Sequence, residues 1–132
     1  MITIYTDIVY EHFMCPQNVY IIDNPNGESV TGEPSCGDTL FLYIRVENNI
    51  IEEISYLVQG CCASIATSSM TSVMAKGKTI EEALKITEQD IIEALGGLPP
   101  GKEHCSNLGI NGLRKAIENY SYLANISNNI SR

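Results

Sequence analysis

The sequence predicts an α+β fold: a small antiparallel β-sheet of about three strands with helices packed on one side. Three observations carry that expectation. Residues 40 to 58 alternate apolar and polar side chains in two runs with a short polar break, the pattern of a β-hairpin with one buried face. Apolar residues at helical spacing occupy both ends of the chain. Between these regions lie two hydroxyl-to-carboxylate pairs of the kind that start helices. At 132 residues the chain has room for one ordinary core and not for two, so residues 1–132 are expected to form a single domain.

Each element has its own justification. Ile4, Ile8 and Val9, followed by His12 and Phe13, keep helical spacing until Pro16, so a first amphipathic helix is expected over residues 3–14. Residues 23–37 contain Pro25, Gly27, Gly32, Pro34 and Gly37, which is turn chemistry around at most one short strand. Leu40, Leu42, Ile44 and Val46 then alternate with Phe41, Tyr43 and Arg45, and a second run from Ile50 to Val58 follows across Glu47-Asn48-Asn49. This predicts the hairpin. Ile65, Met70, Val73 and Met74 among small residues predict a helix over 64–76, with Gly77 placed to end it. Thr79 with Glu82, and Thr87 with Asp90, each place a hydroxyl three residues before a carboxylate and predict two short helices. Ile110, Leu113, Ile117 and Tyr120 mark the buried face of a last helix. Its Gly109 and Gly112 cost roughly 1 kcal/mol each relative to Ala. The tail after about residue 123 is a candidate disordered segment.

Charge and cysteine usage narrow the function. The formal charge is −8, which argues against a phosphate-backbone partner and hence against nucleic acid. No apolar run approaches the ~20 residues that cross a bilayer, so no membrane partner is expected. The first Lys or Arg is Arg45, whereas secretory and mitochondrial leaders begin with basic residues. A reducing, cytoplasmic setting is therefore expected. There, five cysteines do not suggest a disulfide framework: the number is odd, and Cys61 adjoins Cys62. Free thiols are the simpler reading, some of them acting only as small buried hydrophobes.

Three of the cysteines fall at element ends. Cys36 closes the Gly/Pro loop in "CGDTL", Cys61 follows the second hairpin strand in "QGCCAS", and Cys105 begins the last helix in "LPPGKEHCS". Helix N-termini lower a thiol's pKa, and the thiolate is the form that binds metal or attacks. With Asp38 and His104 the chain offers five candidate ligands, one group per loop and no C-x-x-C pair. That makes a zinc ribbon or a permanent ferredoxin-type cluster a poor fit. A site mixing thiolates with a carboxylate or imidazole holds soft metal less tightly than four thiolates and could load and unload. Two other readings use the same residues. In one, Cys61 is a thiol hydrolase nucleophile with His104 as base and Asp38 as orienting carboxylate, which leaves Cys36 and Cys105 unexplained. In the other, the ligands surround one tetrahedral zinc, structural or serving as a sulfur-relay site.

The motifs "HFMCPQNV" (12–19), "CGD" (36–38), "GCCASIATSS" (60–69), "LPPGKEHCS" (98–106) and "AIENY" (116–120) occur in the order found in the IscU/NifU-type scaffold proteins of iron–sulfur cluster assembly, which residues 3 to about 122 resemble. The resemblance implies a small α+β scaffold, not an enzyme in the usual sense. Such a scaffold receives sulfur from a cysteine desulfurase, assembles a transient [2Fe–2S] cluster from that sulfur and iron, and passes it to apo iron–sulfur proteins. By motif, Cys36, Cys61 and Cys105 would be the thiolate ligands, with Asp38 and His104 as exchangeable members. Lys102 would draw its charge toward the anionic site. Pro99 and Pro100 would support the site or meet a partner, an Hsp70-type chaperone among them. Zinc is the alternative occupant of the isolated protein. The chain departs from the family pattern at Tyr20, where a glycine is usual, and at Gly101, which replaces the valine of the chaperone-served L-P-P-V-K. Cys15 and Cys62 match no family ligand. Cys61 and Cys105 are 44 positions apart, the spacing of the IscU type without the insertion of the zinc-binding SufU branch.

Overall fold

In the computed structural model, described for residues 5–33 and 37–130, a three-stranded antiparallel sheet carries five helices. The order is α1 (Asp7–Met14), β1 (Gly27–Glu33), β2 (Asp38–Glu47), β3 (Ile50–Gln59), α2 (Cys62–Ala75), α3 (Ile80–Leu84), α4 (Glu88–Ala94) and α5 (Ser106–Ile130), with a 3₁₀ turn over Glu103–Cys105 leading into α5. The sheet order is β1-β2-β3. The α+β expectation holds.

The hairpin forms as the alternation requires. Leu40, Leu42, Ile44 and Val46 are buried, and the register pairs Leu42 with Tyr56 and Ile44 with Ile54. Asn48 and Asn49 both take positive φ, 53° and 65°, the conformation a two-residue turn between twisted strands demands and asparagine tolerates. α2 and α5 cover the buried face, and Leu108, Ile110, Leu113 and Ile117 of α5 complete the core with Ile51, Ile54 and Ile91. The opposite face leaves Val30 and Phe41 exposed. Among the described residues, no helix is long and apolar enough to cross a membrane.

Four boundaries differ from expectation. α1 begins only at Asp7, because the Thr6 hydroxyl accepts from the Val9 amide at 3.1 Å and caps the helix there. β1 is a full seven-residue strand, not a turn with a short strand. Its inward hydroxyls donate to α5 carbonyls, Ser29 to Gly112 at 2.7 Å and Thr31 to Leu108 at 3.4 Å. α2 starts two residues earlier than the apolar spacing suggests, at Cys62. α5 continues through Ile130, past the expected disordered tail, since extending a helix already nucleated by packing costs little per residue.

Candidate metal centre

The hairpin register builds one wall of the site. Thr39 pairs with Gln59, so Asp38, at the start of β2, lies beside Gly60, the residue just after β3. Asp38 is buried, and a Cβ added at Gly60 would stand 2.6–2.9 Å from its carboxylate atoms. Glycine is therefore the residue that lets the carboxylate turn inward. The next residue, Cys61, is the N-cap of α2. Cys105 arrives from the other side on the 3₁₀ turn, fully buried, with its carbonyl accepting from the Thr67 hydroxyl at 3.1 Å.

These three side chains converge. One ligand atom from each of Asp38, Cys61 and Cys105 lies within 4.8 Å of the other two. Cys61 Sγ is 3.9 Å from Cys105 Sγ and 3.8 Å from Asp38 Oδ2. His104 Nε2 stands 3.8 Å from Cys105 Sγ, bringing a fourth predicted residue to the cluster's edge. The remaining thiol of the predicted set, Cys36, lies outside the described residues. Lys102 ends the loop that precedes the 3₁₀ turn, where its carbonyl accepts from the Cys105 amide at 3.0 Å. Pro99 is half-buried and Pro100 exposed in that loop, and Gly101 takes φ +87°, a conformation a valine would adopt only under strain.

The two adjacent cysteines differ electrostatically. Burial pushes the Cys61 thiol up, as does the Asp38 charge. Hydrogen bonding with Ser64 and Cys105 outweighs both, and its pKa falls below the ordinary value. Burial pushes the Cys62 thiol up, the nearby Cys61 adds to this, and Lys102 only partly offsets it. Cys62 packs against the hydrophobic core, and Cys15 is exposed.

Two neighbours of the site carried no sequence signal. Ser64, fully buried on the first turn of α2, donates a hydrogen bond to Asp38 Oδ2 and stands 3.4 Å from Cys61 Sγ. Its spacing of three from Cys61 puts both on one side of the helix start. Burial raises the Tyr5 hydroxyl above its ordinary value, and the charges of Cys62, Cys61 and Cys105 add to this while Lys102 opposes it. The Thr6 hydroxyl, which donates to the Leu95 carbonyl at 2.5 Å, pins this segment. A hydrolase triad would need an imidazole between thiol and carboxylate. Here Cys61 meets Asp38 directly, and the His104 ring lies against Cys105.

A three-stranded antiparallel sheet with its helices brings two thiols and a carboxylate together, with an imidazole beside them, and so presents the donor set of a candidate soft-metal site. The chain belongs to the NifU-like N-terminal domain family, whose model matches residues 4–126. It is 54% identical over 116 residues to "Iron-sulfur cluster assembly scaffold protein IscU 1" of Archaeoglobus fulgidus, spanning 88% of this chain and 76% of that protein. It is 46% identical over 118 residues to the IscU scaffold of Aquifex aeolicus, spanning 88% and 75%. The crystal structure of a NifU-like N-terminal protein from Brucella abortus superposes with a TM-score of 0.73 at 15% identity, covering 90% of this chain and 95% of that one, which speaks to the fold alone.

Proposed function

We propose that this protein is a scaffold for iron–sulfur cluster assembly: one domain on which a transient [2Fe–2S] cluster is built from iron and delivered sulfur, then transferred to apo-proteins. The observation that carries the reading is the convergence of Asp38, Cys61 and Cys105 within 4.8 Å in a chain whose relatives are named as such scaffolds. It is not an enzyme; its side chains hold cargo. Cys36, Cys61 and Cys105 are the proposed thiolate ligands, and Asp38 and His104 the exchangeable ones. Sulfur is supplied by a cysteine desulfurase in a reducing cytoplasm, and the acceptors are apo iron–sulfur proteins. Lys102, Pro99 and Pro100 flank the site where these partners and an Hsp70-type chaperone approach.

The thiol–thiol distance supports two thiolates sharing one metal ion. Metal–sulfur bonds near 2.3 Å at a tetrahedral angle put two sulfurs about 3.8 Å apart, against 3.9 Å for Cys61 and Cys105. Both an iron of the cluster and a lone zinc satisfy this geometry, which keeps a zinc-bound sulfur-relay form as the second reading. Metal and acid-labile sulfide analysis of anaerobically purified protein separates them. The scaffold reading expects iron and sulfide together and three cysteine variants, at 36, 61 and 105, that fail to load. Stoichiometric zinc with no sulfide uptake on reconstitution would overturn it.

A further inference from the structure

Asp38 is the weakest ligand of the proposed set, and the structure shows what steers it. Its carboxylate is buried, where an ionised oxygen is costly unless a donor meets it. The Ser64 hydroxyl supplies that donor at Oδ2, the same oxygen that stands 3.8 Å from Cys61 Sγ. Ser64 is itself fully buried, 3.4 Å from Cys61 Sγ, and its position is fixed by the first turn of α2. On the carboxylate's other flank stands Gly60, where an added Cβ would come within 2.6–2.9 Å of it. One hydroxyl therefore touches both a carboxylate and a thiol of the metal centre.

We infer that Ser64 is a positioning residue for cluster release: its hydroxyl holds the Asp38 carboxylate at the metal centre as a weak, displaceable ligand. A charge-assisted hydrogen bond both fixes the direction of Oδ2 and draws electron density from it. The oxygen kept facing the metal is thus a poorer donor than a free carboxylate. Without the hydroxyl, the carboxylate turns away and the labile corner is lost. The inference rests on the scaffold reading, and it predicts that removing Ser64 copies the removal of Asp38.

The test compares wild type, Ser64→Ala, Asp38→Ala and the double variant. After reconstitution with iron and sulfide, cluster absorption is followed under chelator and during transfer to an apo-ferredoxin. Ser64→Ala and Asp38→Ala should each lengthen cluster lifetime to a similar extent, on the order of tenfold, the scale typical of groups that orient metal ligands. The double variant should match either single one, because residues acting through one another are not additive. A purely structural serine would instead add its effect to that of Asp38→Ala. Cobalt(II) titrated into the apo-proteins gives a readout independent of cluster chemistry: both single variants should share one ligand-field spectrum distinct from wild type. Wild-type release or a wild-type cobalt spectrum in Ser64→Ala, or additive lifetimes in the double variant, would overturn the inference. Failure of wild type to take up iron and sulfide would instead count against the scaffold reading, while the cobalt spectra still decide the role of Ser64.

Discussion

The amino terminus of α2 and those of α3 and α4 face one physical problem and solve it in opposite ways. Every helix start leaves backbone amides without intrahelical partners. α3 and α4 satisfy them with complete capping boxes: the Thr79 and Thr87 hydroxyls accept from the Glu82 and Asp90 amides at 3.1 Å, and the two carboxylates accept in return from the threonine amides at 3.0 Å. At α2 the capping position is held by Cys61, a poor capping residue, whose sulfur is turned toward Asp38, Ser64 and Cys105. Two helix starts serve stability through local chemistry. The third gives up the preferred cap so that a thiol can stand in a polar, partly buried site.

The largest expected effect comes from breaking the α2 start. Cys61→Ser and Cys105→Ser should abolish or sharply reduce cluster formation, since a serine oxygen is a harder and less acidic ligand than a thiolate. Cys62→Ser, one residue along, should load as wild type. Visible charge-transfer absorption after reconstitution, with circular dichroism as the fold control, reads both, and loss of the cluster in the Cys62 variant would refute the distinction. The same pair separates by pH. Cys61 is shifted down and Cys62 up, so as pH rises iodoacetamide should modify Cys61 before Cys62 in apo-protein, as peptide mass spectrometry would show.

Gly60→Ala is next in size. The added Cβ would fall 2.6–2.9 Å from the Asp38 carboxylate, so the carboxylate must be displaced or the strand end must shift. Overpacking of this kind costs about 1–3 kcal/mol, measurable by urea unfolding. Because Asp38 is moved rather than removed, cluster lifetime should change in the direction of Asp38→Ala. Wild-type stability together with wild-type lifetime would show that Gly60 makes no room for the carboxylate.

This contrast also marks where the sequence is readable. The capping boxes were legible because all their chemistry lies within four consecutive residues, and the hairpin because its alternation is local. β1 was not legible as a full strand: its inward positions carry Gly27, Ser29 and Thr31 in place of apolar residues. Its strand character comes from pairing with β2 and from hydroxyl bonds to α5, both distant in the chain. Gly109 and Gly112 read as helix-weakening residues, yet a Cβ would meet Thr71 Oγ1 at 2.5 Å or Leu40 Cδ2 at 2.9 Å. They are contact points whose partners no local window contains. At the site, the motifs named the cysteines, Asp38 and His104. Ser64 was hidden among the many small residues of α2, since nothing local distinguishes a serine that reaches a distant carboxylate from one that merely fits a crowded helix.

The smallest effect tests the stability side of the comparison. Thr79→Ala removes the hydroxyl that accepts from the Glu82 amide and should cost about 1 kcal/mol, which for a domain of this size lowers Tm by about 3–6 °C. Cluster loading and lifetime should not change, because among the described residues α3 contributes no ligand to the candidate metal centre. The box should also carry a pH signature. The Glu82 carboxyl is held below its ordinary value by hydrogen bonds from the Thr79 amide and hydroxyl, the burial penalty only partly opposing them. Its contribution is therefore present above the unfolded value of about 4.5 and is lost as pH falls through the lower folded value. In wild type the stabilising effect of Thr79 should persist at neutral pH and shrink below that point, so the wild-type and Thr79→Ala unfolding curves should converge on acidification. Glu82 is fully exposed, and salt screening keeps this part of the effect small. Curves that stay equally separated from neutral pH down to the acid limit would mean that the carboxylate takes no part in the cap, leaving the threonine hydroxyl as its sole working member.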